Sequence, residues 1–179
     1  MKMERHGFIK VAAAVPSLRV ADCDYNSERI IELMKRAAER GVRVVTFPEL
    51  SITAYSCGDL VRQSLLLKSA EQALKRIAEA SGEINVVAIV GLPIAVADKI
   101  FNCAAVVAEG KVFITAPDRY MTAVNVADGS TAWRTKEHKV RETIGLSEDN
   151  KIVFSRCMND SVLAVAADDC RLLWKVDAK

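Results

Sequence analysis

Three short apolar runs separated by two stretches of helical periodicity fill the front of this chain, and that alternation admits few folds. The runs are Phe8 to Val15, Arg43 to Phe47 and Asn85 to Ile94. Between the first two, Asp24 to Arg40 sets Ile30, Leu33, Met34, Ala37 and Ala38 at helical spacing, with Glu28, Arg29, Lys35, Arg36, Glu39 and Arg40 on the wet side. Asn26 or Ser27 is the expected cap of this helix, and Gly41 its stop. A second helix is expected from Asp59 to Ala80, its apolar side made by Leu60, Leu65, Leu66, Leu67, Ala70, Leu74 and Ile77. Asp98-Lys99 predicts a turn, and Phe101 to Val107 with Val112 to Thr115 predicts a hairpin across Glu109-Gly110. The expected order is β-α-β-α-β-β-β, an α/β layered core with parallel neighbours.

The second run ends on Phe47-Pro48-Glu49. A carboxylate at the tip of a strand is a common place for chemistry in open α/β sheets. It is also a common place for a solvated loop acid or a charge at a helix start, and the pattern alone leaves these readings open.

Phe47-Pro48-Glu49-Leu50-Ser51-Ile52-Thr53-Ala54-Tyr55 resembles the segment around the general base of the carbon–nitrogen hydrolase (nitrilase) superfamily, and most resembles the glutaminase domain of glutamine-dependent NAD synthetases. The likeness runs from Gly7 to about Lys111 and includes Phe8 to Pro16, Val20 to Cys23, Ser56-Cys57-Gly58-Asp59-Leu60 and Asn102 to Val107. Ala54 stands where the family usually has glycine. The resemblance implies the first half of an αββα sandwich. It also implies a chemistry in which a thiolate attacks an amide carbon, a carboxylate shuttles the proton and a lysine ammonium stabilises the developing negative charge.

In that family the three side chains come in the order Glu, Lys, Cys. Glu49 fits the base. The lysine follows a proline, but here Pro117 is followed by Asp118, whose carboxylate would oppose an oxyanion. Arg119 projects to the other face of an extended chain, and Lys136 or Lys139 is a more distant substitute. The nucleophile belongs to a Cys-Glu-Asp-Leu-Trp segment; here Cys170-Arg171-Leu172-Leu173-Trp174 keeps the cysteine, a leucine and the tryptophan but not the acids. Catalytic candidates are therefore Glu49 and Cys170. Cys57 and Cys103 read as buried small apolar residues, and Cys23 and Cys157 lack any local activating neighbour.

Past about Lys111 the helical periodicity stops. Ala123 to Arg134 lines up with Ala164 to Lys175, which places Trp133 and Trp174 41 residues apart. That is about the 40–45 residues of one propeller blade, and the tail resembles PQQ-type β-propeller repeats. The competing reading is two unrelated hairpins with tryptophans as core anchors. A closed propeller needs about four or more blades, so the exposed strand edges of this tail require cover. The expected division is 1–112, nitrilase-like, and 113–179, all-β, in a composite chain.

A net charge of +2 gives no reason to expect nucleic acid as a partner, and no apolar run is long enough to cross a membrane. Five cysteines without metal-ligand spacing fit free thiols and a cytoplasmic setting. His6 and His138 stand far apart, and no Gly-rich phosphate loop occurs, so no metal or cofactor is expected. The expected function is a glutaminase-type hydrolase of weak or no activity, acting, if it acts, on glutamine or another small amide through a cysteine thioester. The alternative is a non-enzymatic chain, either an engineered fold or a module that forms homo-oligomers through its tail strands.

Overall fold

In a computed structural model, residues 9–96, 99–115, 119–125, 130–147 and 149–177 are described, and the chain divides into two units, Met1–Gly110 and Lys111–Lys179. The first unit holds β1 (Val11–Ala13), α1 (Cys23–Glu39), β2 (Val44–Thr46), a 3-10 segment (Tyr55–Arg62), α2 (Ser64–Ser81), β3 (Val87–Val96) and β4 (Lys99–Ala108). Strands β1, β2 and β3 are parallel neighbours, with Val11 opposite Val44 and Val44 opposite Val87. β4 returns antiparallel to β3, from Val107 opposite Ala88 to Lys99 opposite Val96. This is the mixed α/β arrangement that the alternation of strands and helices implies.

Two local expectations are corrected. Asp22, not Asn26 or Ser27, caps α1 by accepting the Tyr25 N–H at 3.1 Å; Asn26 and Ser27 are buried inside the first turn. The second helix does not run unbroken from Asp59. A 3-10 segment kinks at Gly58 (φ 52°, ψ −131°), Gln63 is extended, and α2 begins at Ser64. The break rotates the apolar positions, so Leu60 and Leu65 are exposed while Leu66, Leu67, Ala70, Ala73, Ile77 and Ala78 are buried. α1 and α2 pack together, with Asp24 and Arg76 paired between them. Ile30, Met34, Ile77, Val45, Val90 and Leu92 are among the largest fully buried side chains, each stabilising by about 1.5–3 kcal/mol relative to exposure.

Ala54 shows why a glycine suits its position. Its φ of 63° with ψ of 143° is a conformation that an L side chain pays to adopt. Ala54→Gly is expected to raise unfolding stability by about 1 kcal/mol, since relieved strain outweighs the added freedom of the unfolded chain. Urea denaturation of the two proteins checks this, and an unchanged or lower midpoint for the glycine variant would count against the strain.

In the second unit every described element is a strand: β5 (Lys111–Thr115), β6 (Met121–Asn125), β7 (Thr131–Arg134), β8 (Val140–Leu146), β9 (Ile152–Cys157), β10 (Ser161–Ala166) and β11 (Leu172–Asp177). β5, β6 and β7 form an antiparallel meander, and β8 to β11 form a four-stranded antiparallel sheet with β8 and β11 at its edges.

The sequence echo is also a structural one. Ala123 lies opposite Trp133, and the register then slips so that Val124 faces Thr131. Ala164 lies opposite Trp174, and the register slips in the same place so that Val165 faces Leu172. The environments of the tryptophans differ. Trp133 is buried against Phe113, ring centroids 6.1 Å apart, and its Nε1–H donates to the Ala167 carbonyl at 2.7 Å. Trp174 is 45% exposed, so it is no core anchor. Asp128 and Gly129, the turn of the first copy, lie outside the described residues, as does Asp98 of the turn before β4.

Candidate active site

Glu49 stands on a turn that begins where β2 ends. Phe47 still pairs with the sheet, donating its N–H to the Ile89 carbonyl at 2.9 Å, and Pro48 then removes the next donor. The turn closes on itself through Ser51 N–H to Pro48 O (3.2 Å) and Thr53 N–H to Leu50 O (3.1 Å). It is fastened to β3 at Gly91 from both sides. The Gly91 carbonyl accepts the Ile52 N–H at 3.1 Å, and the Gly91 N–H donates to Ser51 Oγ at 3.3 Å. A Cβ on Gly91 would lie 2.4 Å from Leu50 N and 3.0 Å from both Glu49 C and Pro48 O. The absence of a side chain on β3 is what lets the acid-bearing turn lie directly on the sheet.

Asn26 holds the far end of the turn. Fully buried, it donates through Nδ2 to the carbonyls of Arg19 (2.8 Å) and Ile52 (2.9 Å), while its Oδ1 accepts the Arg19 N–H (2.8 Å). Its buried position inside α1 is thus explained by loop bonding, not by capping. The Glu49 carboxylate is exposed, and its Oε1 accepts a hydrogen bond from the side-chain amide of Asn102 on β4. Cys103, the next residue along the strand, projects to the opposite face, and burial pushes its thiol up from the ordinary value.

Cys170 belongs to the other unit. It sits in the turn between β10 and β11, where Cys170 N–H donates to Ala166 O (3.0 Å) and Asp169 Oδ1 accepts the Arg171 N–H (3.0 Å). Its φ of 63° is left-handed, and the echo places it where the first copy has Gly129. It lines a cleft of about 520 Å³ together with Trp133, Lys136, His138, Leu163 and Asp169. Burial, then the neighbouring Asp169 carboxylate, pushes the thiol up; the Lys136 ammonium offsets this only in part. Lys136 is therefore beside Cys170, as a substitute ammonium would have to be, but it does not win.

Cys23 is pushed up to about 11, by burial first and then by Asp24 and Asp22. Cys57 and Cys157 are buried, as the small-apolar reading of Cys57 expects, whereas Cys103, given the same reading, is only half-buried on β4. Asp118, the residue at the family's lysine position, lies outside the described residues. Among the described residues no group of His, Cys, Asp and Glu could hold a metal ion, and no helix is long and apolar enough to cross a membrane.

Sequence reasoning read Asn26 only as a helix cap and did not single out Gly91 or the pairing of Asn102 with Glu49. A lone glycine inside the apolar run of β3 was the available signal for close backbone approach. Asn102 lay within a segment quoted for the family likeness.

The carbon–nitrogen hydrolase family profile matches residues 10–153, so the match extends past Gly110 into the second unit. A glutamine-dependent NAD(+) synthetase of Mycobacterium leprae is 32% identical over 115 residues, covering 64% of this chain and 17% of that protein. One of Xylella fastidiosa is 36% identical over 106 residues, covering 59% of this chain and 19% of that protein. The chain thus spans less than a fifth of the length of these relatives. Among solved structures, a glutamine-dependent NAD(+) synthetase of Cytophaga hutchinsonii superposes with a TM-score of 0.59 at 16% identity, over 94% of this chain and 40% of that one. This last likeness concerns the fold.

Proposed function

The chain belongs to the carbon–nitrogen hydrolase family, and from that premise we propose that it is a glutaminase-type domain that can receive a small primary amide such as glutamine's but hydrolyses it weakly or not at all. The observation that carries this reading is the setting of Cys170, in a left-handed hairpin turn with Asp169 beside it. Nitrilase-type attack needs a thiolate, and Cys170, the one cysteine in a segment like the family's nucleophile, is held toward the thiol form by burial and Asp169. Its place at the tip of a hairpin turn supports a conformational role there.

Glu49 supports the amide-binding half of the reading. Its carboxylate already accepts an N–H from a primary carboxamide, that of Asn102, which is the donor that glutamine's side chain presents. The companion reading, a strand-mediated interaction module with propeller-like repeats, is favoured by the equivalent hairpins around Trp133 and Trp174.

Incubation with glutamine, followed by an ammonia assay, tests the proposal. The expected release is no greater than that of Glu49→Gln. Turnover that is abolished both by Glu49→Gln and by Cys170→Ala would overturn it, and loss on Lys136→Ala would identify the cation.

A further inference from the structure

We propose that Asn102 is a specificity-determining residue of the Glu49 site, and that the two side chains together read both N–H donors of a primary carboxamide. This role rests on the amide-receiving reading of Glu49 and names the residue that selects its ligand.

The sheet builds the pair. In the antiparallel register of β3 and β4, Pro93 lies opposite Asn102 and Gly91 lies opposite Ala104. Residues directly opposite share a face, as do residues two apart along a strand, so these four stand on one side of the sheet. The Glu49 turn rests on that side, against Gly91. The turn thereby brings the Glu49 carboxylate to the carboxamide of Asn102, and the two are hydrogen-bonded. Gly91 and Ala104 put little side chain beside them. Both members of the pair are exposed, so a ligand can reach both.

A carboxylate can only accept, so the group that Asn102 turns to Glu49 Oε1 is its NH2. Two acceptors are then left, Glu49 Oε2 and Asn102 Oδ1. Among the described residues neither has another partner. A primary carboxamide carries two N–H donors, and an N-alkyl amide carries one. A lone carboxylate serves one N–H equally well in either ligand. A second acceptor fixed beside it favours the ligand with two, and the N–H that Asn102 gives to Glu49 does the fixing. A site built to take an N–H rejects the analogue that lacks it, because an acceptor is left unpaired. Water covers such an acceptor at an exposed site, so the discrimination expected is modest, about 2–10-fold.

Chemical-shift titration of the full chain with glutamine and with N5-methylglutamine, read at the Glu49 and Leu50 backbone amides, is the test. Wild type is expected to bind glutamine about 2–10-fold more tightly than its N-methyl analogue. In Asn102→Ala and, separately, in the similarly sized Asn102→Leu, the glutamine affinity is expected to fall to that of N5-methylglutamine, with an unchanged circular dichroism spectrum. A purely structural loss would weaken both ligands alike and leave their ratio as it was. A wild-type ratio of one, or a ratio that survives in both variants, overturns the role of Asn102 and leaves the amide-receiving reading in place. Wild type that binds neither ligand overturns the two together.

Discussion

Gly91→Ala is expected to lower the thermal midpoint by roughly 6–12 °C, the equivalent of about 3 kcal/mol in a chain of this size. The added methyl meets main-chain atoms of the Glu49 turn, the nearest at 2.4 Å. Side chains can rotate away from an intruder at modest cost, but this turn is held on three sides. Ile52 and Ser51 bond to Gly91 itself, Asn26 bonds to Ile52, and Ala21 donates its N–H to the Thr53 carbonyl at 2.9 Å. Relief therefore requires lifting the turn and giving up those bonds, each costly once its groups are buried. Differential scanning calorimetry measures the shift. A change of less than about 2 °C would mean that the turn does not rest on Gly91.

Trp133→Ala is expected to cost about 3–5 kcal/mol, as deletion of a large buried aromatic does, whereas Trp174→Ala at low protein concentration should change stability by about 0.5 kcal/mol or less. The side chains are the same and the hairpins have the same register, so the difference isolates their surroundings. Trp133 loses its packing against Phe113 and leaves the Ala167 carbonyl without its indole donor. Trp174 loses contacts on an open face. Urea unfolding of both variants at low micromolar concentration gives the comparison. Equal losses would contradict the assignment of one tryptophan to the core and the other to the surface.

The alternation of apolar runs with helical periodicity carried the α/β order because each run must bury and each helix has one dry side. Pattern was a poorer guide where a single residue decided. The start of α1 went to Asp22 because Asn26, an equally good capping side chain, is fully committed to the loop around Ile52. The start of α2 moved to Ser64 because Gly58 and Gln63 leave helical conformation, which hydrophobic spacing does not register. Glu49 was legible through its motif. Its hydrogen bond from Asn102 was not, since 53 residues separate them and only strand pairing brings them together. The family order likewise pointed to Cys170, but its left-handed φ and the carboxylate beside it are properties of a folded hairpin.

The ionisation of Cys170 tests the proposal of weak or absent hydrolysis most directly. Its alkylation by iodoacetamide, resolved by peptide mass spectrometry, can be followed between about pH 5 and pH 11 in the folded chain. The expected result is a rate that is still rising at the ordinary thiol value of 9.0. A rate already level near about pH 7, as for thiols paired with a cation, would contradict it and restore Cys170 as a working nucleophile.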